Sequence, residues 1–223
     1  MIYPYEYRHL IFNKPAQSSY YTWYPDPSRS IWYGNFSEKR TEMGLTRLTE
    51  TPHYFHHYLT GTPDEIPVFG IARDLKGRIW AGTRGEGFIL RINNRGKTEK
   101  VSYAHLFTGE KSPKVRSMFA DSSGIWMGCT QNTILFYDYK SEKFRKYKLR
   151  FPDAAGNETD LLLHNILKKG KDLIINGRGV FLFHPESGLV ERKFSFPYSD
   201  FFSIARGNAN DYWLGIYHNT VVH

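Results

Sequence analysis

One short phrase recurs along the chain: a large apolar residue, Trp, a third residue, then Gly. It stands as Ile31-Trp32-Tyr33-Gly34, Ile79-Trp80-Ala81-Gly82, Ile125-Trp126-Met127-Gly128 and Tyr212-Trp213-Leu214-Gly215. Ile174-Ile175-Asn176-Gly177 is a degenerate copy in which Ile175 takes the Trp place. Successive copies lie roughly 40 to 50 residues apart, a period at which one small sheet repeats and is stabilised by stacking on its neighbours. Within each copy, period-2 alternation puts Trp80 and Gly82 on one strand face, a flat ring beside a residue with no side chain. That pairing lets a second sheet lie close over the first.

A second column supports the same alignment. The turns before the Trp positions are Asp26-Pro27-Ser28, Asp74-Leu75-Lys76-Gly77, Asp121-Ser122-Ser123-Gly124, Lys169-Gly170-Lys171 and Gly207-Asn208-Ala209-Asn210. Three begin with Asp, whose carboxylate bonds backbone N–H groups two residues on. Four positions before each turn stand Thr22, Gly70, Ser117, Asn165 and Ser203, small or polar residues suited to an innermost strand where sheets converge. The stretch Val68 to Asn93 reads as three antiparallel strands in succession. The fold class expected is all-β, a β-propeller of about five four-stranded blades, either closed with five or part of a larger, seven-bladed one.

The blades are expected over 20–59, 68–106, 114–149, 162–196 and 201–223 of a single domain, 1–223. The last has three strands, and Glu6 to Asn13 is available to complete it. The competing expectation is a piece of a longer propeller, favoured by the abrupt end at Thr220-Val221-Val222-His223 with no secretion signal. With no stretch near the roughly 18 to 20 apolar residues of a membrane helix, the chain is expected to be either cytoplasmic or a piece of something longer. Tyr and Phe, 16 of each in 223 residues, favour strands. The single cysteine, Cys129, excludes an internal disulfide framework and reads as a small buried strand residue. The formal charge of +8 is concentrated in Lys140 to Arg150, where Lys146 and Lys148 alternate with Tyr147 and Leu149. That is how an outer strand protects its edge, so no nucleic-acid partner is expected.

Ile71, Asp74, Gly77, Ile79, Trp80, Gly82, Thr83 and Gly87, with Phe88 following, resemble the two-component regulator propeller repeat. Met118, Asp121, Gly124, Ile125, Trp126 and Gly128 repeat the pattern, as do Ile204, Trp213 and Gly215. The resemblance implies the periplasmic sensor half of a hybrid two-component system, which detects glycan breakdown products. In that family, propellers precede an immunoglobulin-like domain, a membrane helix, a histidine kinase and often a DNA-binding regulator.

Topology selects a candidate surface independently of the family. In an up-and-down blade, the loop between the second and third strands lies at the end where the chain enters the next blade. Those loops carry Arg84, Glu86, Gln131, Asn132, Arg178, His218 and Asn219, and the inner-strand starts add Arg116 and His164. Such groups hydrogen-bond hydroxyls and carboxylates, as a sugar or uronic-acid ligand requires. His53, His56 and His57 do not share one strand face, so no metal site is expected, and no catalytic motif or cofactor-binding loop occurs. The expected role is non-catalytic sensing of an oligosaccharide or similar small ligand. A protein-interaction or homodimer scaffold is the alternative, and a propeller lyase ranks last.

Overall fold

Apolar runs closed by tight turns, Asp-x-x-Gly in the second and third sheets, become antiparallel hairpins, and these join into five sheets. The computed structural model describes residues 18–26, 30–37, 44–49, 56–58, 66–151, 163–194, 201–208, 211–216 and 220–222. The first sheet contains β1 (Ser18–Asp26), β2 (Ser30–Ser37), β3 (Gly44–Thr49) and β4 (His56–Tyr58). The second contains β5 (Val68–Arg73), β6 (Ile79–Thr83), β7 (Phe88–Ile92) and β8 (Thr98–Ser102), followed by a 3-10 turn at Ala104–Phe107. The third contains β9 (Val115–Ala120), β10 (Gly124–Cys129), β11 (Thr133–Asp138) and β12 (Lys143–Lys148). The fourth contains β13 (Asn165–Lys169), β14 (Asp172–Gly177), β15 (Gly179–His184) and β16 (Leu189–Phe194). The fifth has three described strands, β17 (Phe201–Arg206), β18 (Tyr212–Ile216) and β19 (Thr220–Val222).

In every sheet the strands are hydrogen-bonded in chain order and run antiparallel. First strands of successive sheets pack together, β1 on β5, β5 on β9, β9 on β13 and β13 on β17. This is the β-propeller architecture. The segment Glu6 to Asn13 lies outside the described residues.

The Asp-x-x-Gly turn and the tryptophan form one device. Asp74 Oδ1 accepts the backbone N–H groups of Lys76 and Arg78, each at 2.9 Å. Its Oδ2 accepts the Trp80 indole N–H at 2.8 Å and the Arg78 Nε–H at 2.6 Å. Asp121 repeats this, taking Ser123 N–H at 2.8 Å, Gly124 N–H at 3.1 Å and the Trp126 indole at 3.3 Å. A buried indole N–H without an acceptor costs about 1–3 kcal/mol, so Asp and Trp belong together. The fourth sheet lacks both, with Lys169-Gly170 in the turn and Ile175 in the strand.

In the first three sheets the Trp face covers the next sheet. Trp80 is wholly buried, its ring 5.1 Å from that of Tyr137 and 6.3 Å from that of Tyr139 in the third sheet. The Arg78 and Arg91 guanidinium carbons stand 5.3 and 5.5 Å from the same ring. On that face, a Cβ at Gly82 would lie 2.5 Å from Val115 Cγ1 and 2.9 Å from the Val115 carbonyl oxygen. The missing side chain therefore sets how closely β9 can approach.

Separate apolar clusters fill the inter-sheet spaces. One joins Trp32 to Ile71 and Leu90, another Trp80 to Met127 and Tyr137, and a third Trp126 to Phe181 and Phe183. A smaller cluster of Phe201, Leu214 and Ile216, with Val180, joins the fourth sheet to the fifth. Here one expectation fails: Trp213 is 47% exposed instead of buried. Its strand β18 belongs to the fifth sheet, and the buried cluster there lies on the side toward the fourth.

Cys129 sits in the second cluster, fully buried, and burial pushes its thiol far above the usual range. β12 is the outermost strand of its sheet, and Lys143, Arg145, Lys146 and Lys148 are exposed on it, as the alternating charge predicts.

Candidate loop face at the blade entrances

Hydrogen bonds place the loops between second and third strands beside the starts of the first strands. Thr130 N–H donates to the Lys114 carbonyl at 3.0 Å, and Lys114 N–H donates to Thr130 Oγ1 at 2.9 Å. In the fourth sheet, His164 N–H donates to the Asn176 carbonyl at 2.8 Å. Contacts between sheets use the same end. Gly85, at φ +104°, brings the β6–β7 loop against the entry to the third sheet, where an added Cβ would lie 2.8 Å from the Ser112 carbonyl. Both the left-handed backbone and the close approach require glycine. The Tyr103 hydroxyl donates to the Pro113 carbonyl at 2.9 Å, and burial pushes its phenol pKa well up, keeping it a neutral donor.

The sequence-predicted residues distribute unevenly over this face. Arg84 and Glu86 are exposed on the β6–β7 loop, and Arg178 is exposed between β14 and β15. Gln131 and Asn132 adopt φ of 59° and 47°, the geometry of a tight hairpin turn between β10 and β11. Asn132 is only 4% exposed, and its carbonyl accepts Leu149 N–H at 2.8 Å, so its place is inside the turn. His218 and Asn219 lie outside the described residues.

Arg116 and His164 are brought together across the boundary between the third and fourth sheets, with Arg116 Nη2 3.4 Å from His164 Nδ1. The His164 ring lies over Phe202 of the fifth sheet, centroids 4.5 Å apart and planes tilted by 32°. Asn165 Nδ2 and Asn176 Nδ2 donate to the carbonyls of Phe202 and Phe201 at 2.7 and 3.0 Å, which fixes β17 against the fourth sheet. Lys114 joins the cationic side. Burial, then the charges of Arg84, Arg116 and Lys111, hold its ammonium below the usual lysine range. Four cations therefore share one neighbourhood of positive potential around Lys114.

Sequence reasoning passed over Lys111, Lys114, Phe69 and Phe202. The signal for the two phenylalanines was present, because each stands immediately before a residue of the small-residue column, Gly70 and Ser203. Among the described residues, no group of three or more His, Cys, Asp and Glu could hold a metal ion. The side chains of His53, His56 and His57 lie outside the description. No helix among the described residues is long and apolar enough to cross a membrane.

No protein-family profile and no curated protein sequence matches the chain. Solved structures do match in fold. The extracellular domain of a proposed hybrid two-component system from B. thetaiotaomicron superposes with a TM-score of 0.65 at 16% identity, over 89% of this chain and 26% of that one. Virginiamycin B lyase from Staphylococcus aureus gives 0.63 at 17% identity, over 87% of this chain and 62% of that one. PorZ, a surface component of the type-IX secretion system of Porphyromonas gingivalis, gives 0.63 at 14% identity, over 91% and 32%. The chain thus spans less than two thirds of each of these relatives, and at these identities the likeness establishes the fold.

Proposed function

We propose that this chain is a non-catalytic, ligand-sensing propeller unit of a two-component receptor, built from the two-component regulator propeller repeat and working in the periplasm. Its ligand is an oligosaccharide or a similar small hydroxylated or anionic molecule, bound at the end where the β6–β7 and β14–β15 loops meet the first-strand starts. The observation that carries this reading is the gathering of Arg84, Lys111 and Arg116 around Lys114, with Arg116 Nη2 3.4 Å from His164 Nδ1, at that end. Guanidinium and ammonium donors on a surface of fixed loops suit recognition of carboxylates and hydroxyls. The fold likeness to extracellular domains of two-component systems supports the receptor setting. The same fold also carries lyases, and fold alone transfers no chemistry.

The test is thermal-shift and calorimetric titration of the chain with enzymatic digests of neutral polysaccharides (starch, galactan, xylan) and acidic ones (polygalacturonate, chondroitin, heparin). A saturable stabilisation by at least one digest, weakened tenfold or more in the Arg84→Ala, Arg178→Ala double variant, is expected. Absence of any shift or heat across all six overturns the reading.

A further inference from the structure

In four of the five sheets one residue is pushed out of register near the start of the first strand. In β5 the pairing with β6 skips from Val68 to Gly70, so Phe69 is the extra residue. In β9 it skips from Val115 to Ser117 around Arg116, and in β17 from Phe201 to Ser203 around Phe202. β1 has the same irregularity around Tyr21. The fourth sheet has no such shift; its pairing begins at Asn165 opposite Asn176, and His164 stands immediately before it. The residue before each of the four side chains described is fully buried: Val68, Val115, Leu163 and Phe201 all have 0% exposure. Those four side chains are not. Phe69, Arg116 and His164 are half-buried, and Phe202 is 47% exposed.

A bulge re-aims one side chain without disturbing the packed neighbours on either side of it. Repeated at one level in successive sheets, it produces a row of side chains along the converging inner strands. Two buried polar atoms adjoin this row, Ser117 Oγ beside Arg116 and Asn176 Oδ1 beside His164, and neither has a hydrogen-bond partner among the described residues. Buried acceptors of this kind are costly unless something bonds to them.

We propose that this row, Phe69, Arg116, His164 and Phe202, is the contact surface for an acidic sugar fragment. Arg116 takes its carboxylate or sulfate, and the His164–Phe202 pair takes the flat C–H face of its ring. The proposal rests on the sensing role above and narrows its ligand to the anionic class. Neutral sugars would use the aromatic rings but offer Arg116 no carboxylate or sulfate. An anion without a ring would use Arg116 and leave Phe202 idle.

The experiment repeats the titration with Arg116→Gln, Arg116→Lys and Phe202→Ala, each first shown to retain the unliganded melting temperature within 2–3 °C. Inorganic sulfate serves as an anion lacking a ring. Acidic digests are expected to bind, with at least a tenfold loss in Arg116→Gln, partial recovery in Arg116→Lys and roughly five- to tenfold loss in Phe202→Ala. Sulfate at the same concentration is expected to give no saturable shift. Binding of neutral digests alone, or acidic binding unchanged in both Arg116→Gln and Phe202→Ala, overturns the row as an acidic-sugar surface while leaving a loop-face sensor standing. Silence from every digest removes both. Sulfate binding as tight as the acidic digests reduces the site to simple anion capture and also overturns the proposal.

Discussion

Trp80 and Trp213 occupy the same place in the same motif, yet one is wholly buried and the other 47% exposed. The residues around them do not explain the difference, since each is followed two positions later by a glycine on the same strand. The neighbouring sheet explains it. Trp80 lies beneath the third sheet, against Tyr137 and Tyr139, whereas the described apolar contacts of the fifth sheet face back toward Val180 of the fourth. In a repeat architecture, much of a unit's stability resides in the interfaces between units. The motif specifies a surface, and the adjacent blade determines what that surface contributes.

The sharpest way to break this comparison is to truncate both rings. Trp80→Ala is expected to destabilise by about 3–5 kcal/mol, the range for large buried aromatics. Trp213→Ala, removing a ring that is half in water, is expected to cost roughly 1 kcal/mol. Equilibrium urea unfolding followed by circular dichroism measures both. Equal losses would mean that Trp213 is as well packed as Trp80 and that the contrast drawn here is false.

The glycines of the same motif sharpen it further. A Cβ at Gly82 meets the side chain and the backbone of Val115, atoms held in the core of the second cluster. At Gly215 the first atom met is the hydroxyl of Ser203, an exposed side chain free to rotate away. Gly82→Ala is therefore expected to cost about 1–3 kcal/mol as overpacking, and Gly215→Ala less than about 0.5 kcal/mol. Thermal unfolding of the two variants under one buffer decides the order. A larger loss at Gly215 would reverse the assignment of which face is close-packed.

The sheets and their internal strand order were legible because each rests on local chemistry: turns that begin with Asp, period-2 alternation, and a glycine two positions after Trp. The exposure of Trp213 was not legible, because it depends on a neighbour in space. Nor was the link from Asp74 to the Trp80 indole. The turn before Trp80 was read for its backbone, and the second carboxylate oxygen was left unassigned. At the candidate site, Arg116 and His164 were found through topology, since both begin inner strands. Phe69 and Phe202 were missed because hydrophobic residues in a strand read as core. Only the register shift shows that they are displaced from it. The loop position of Asn132 suggests a ligand-facing group, but in the three-residue turn Thr130 to Asn132 it is only 4% exposed.

The smallest expected effect concerns acid, and it too separates interior sheets from the fifth. Burial pushes the Asp121 carboxyl upward, but the Ser123 hydroxyl and backbone N–H and the Lys168 ammonium outweigh it, so its pKa falls below the usual aspartate range. Lys168 comes from the fourth sheet, at 3.1 Å from Oδ2, so the ion pair also ties two blades together. Because the folded pKa lies below the unfolded value of about 3.9, the stabilisation is present above about pH 4 and is lost as pH falls through the folded pKa. Partial exposure of both partners limits it to roughly 0.5–1 kcal/mol. Asp121→Asn is expected to remove that increment at pH 7 and to flatten the stability profile between pH 4 and 2 relative to the parent. In the fifth sheet the corresponding turn position is Gly207, which brings no carboxylate to that place. A parent and an Asp121→Asn variant with parallel profiles would show that the carboxylate holds the turn and the indole without coupling to protons, and that the Lys168 contact between blades carries no weight.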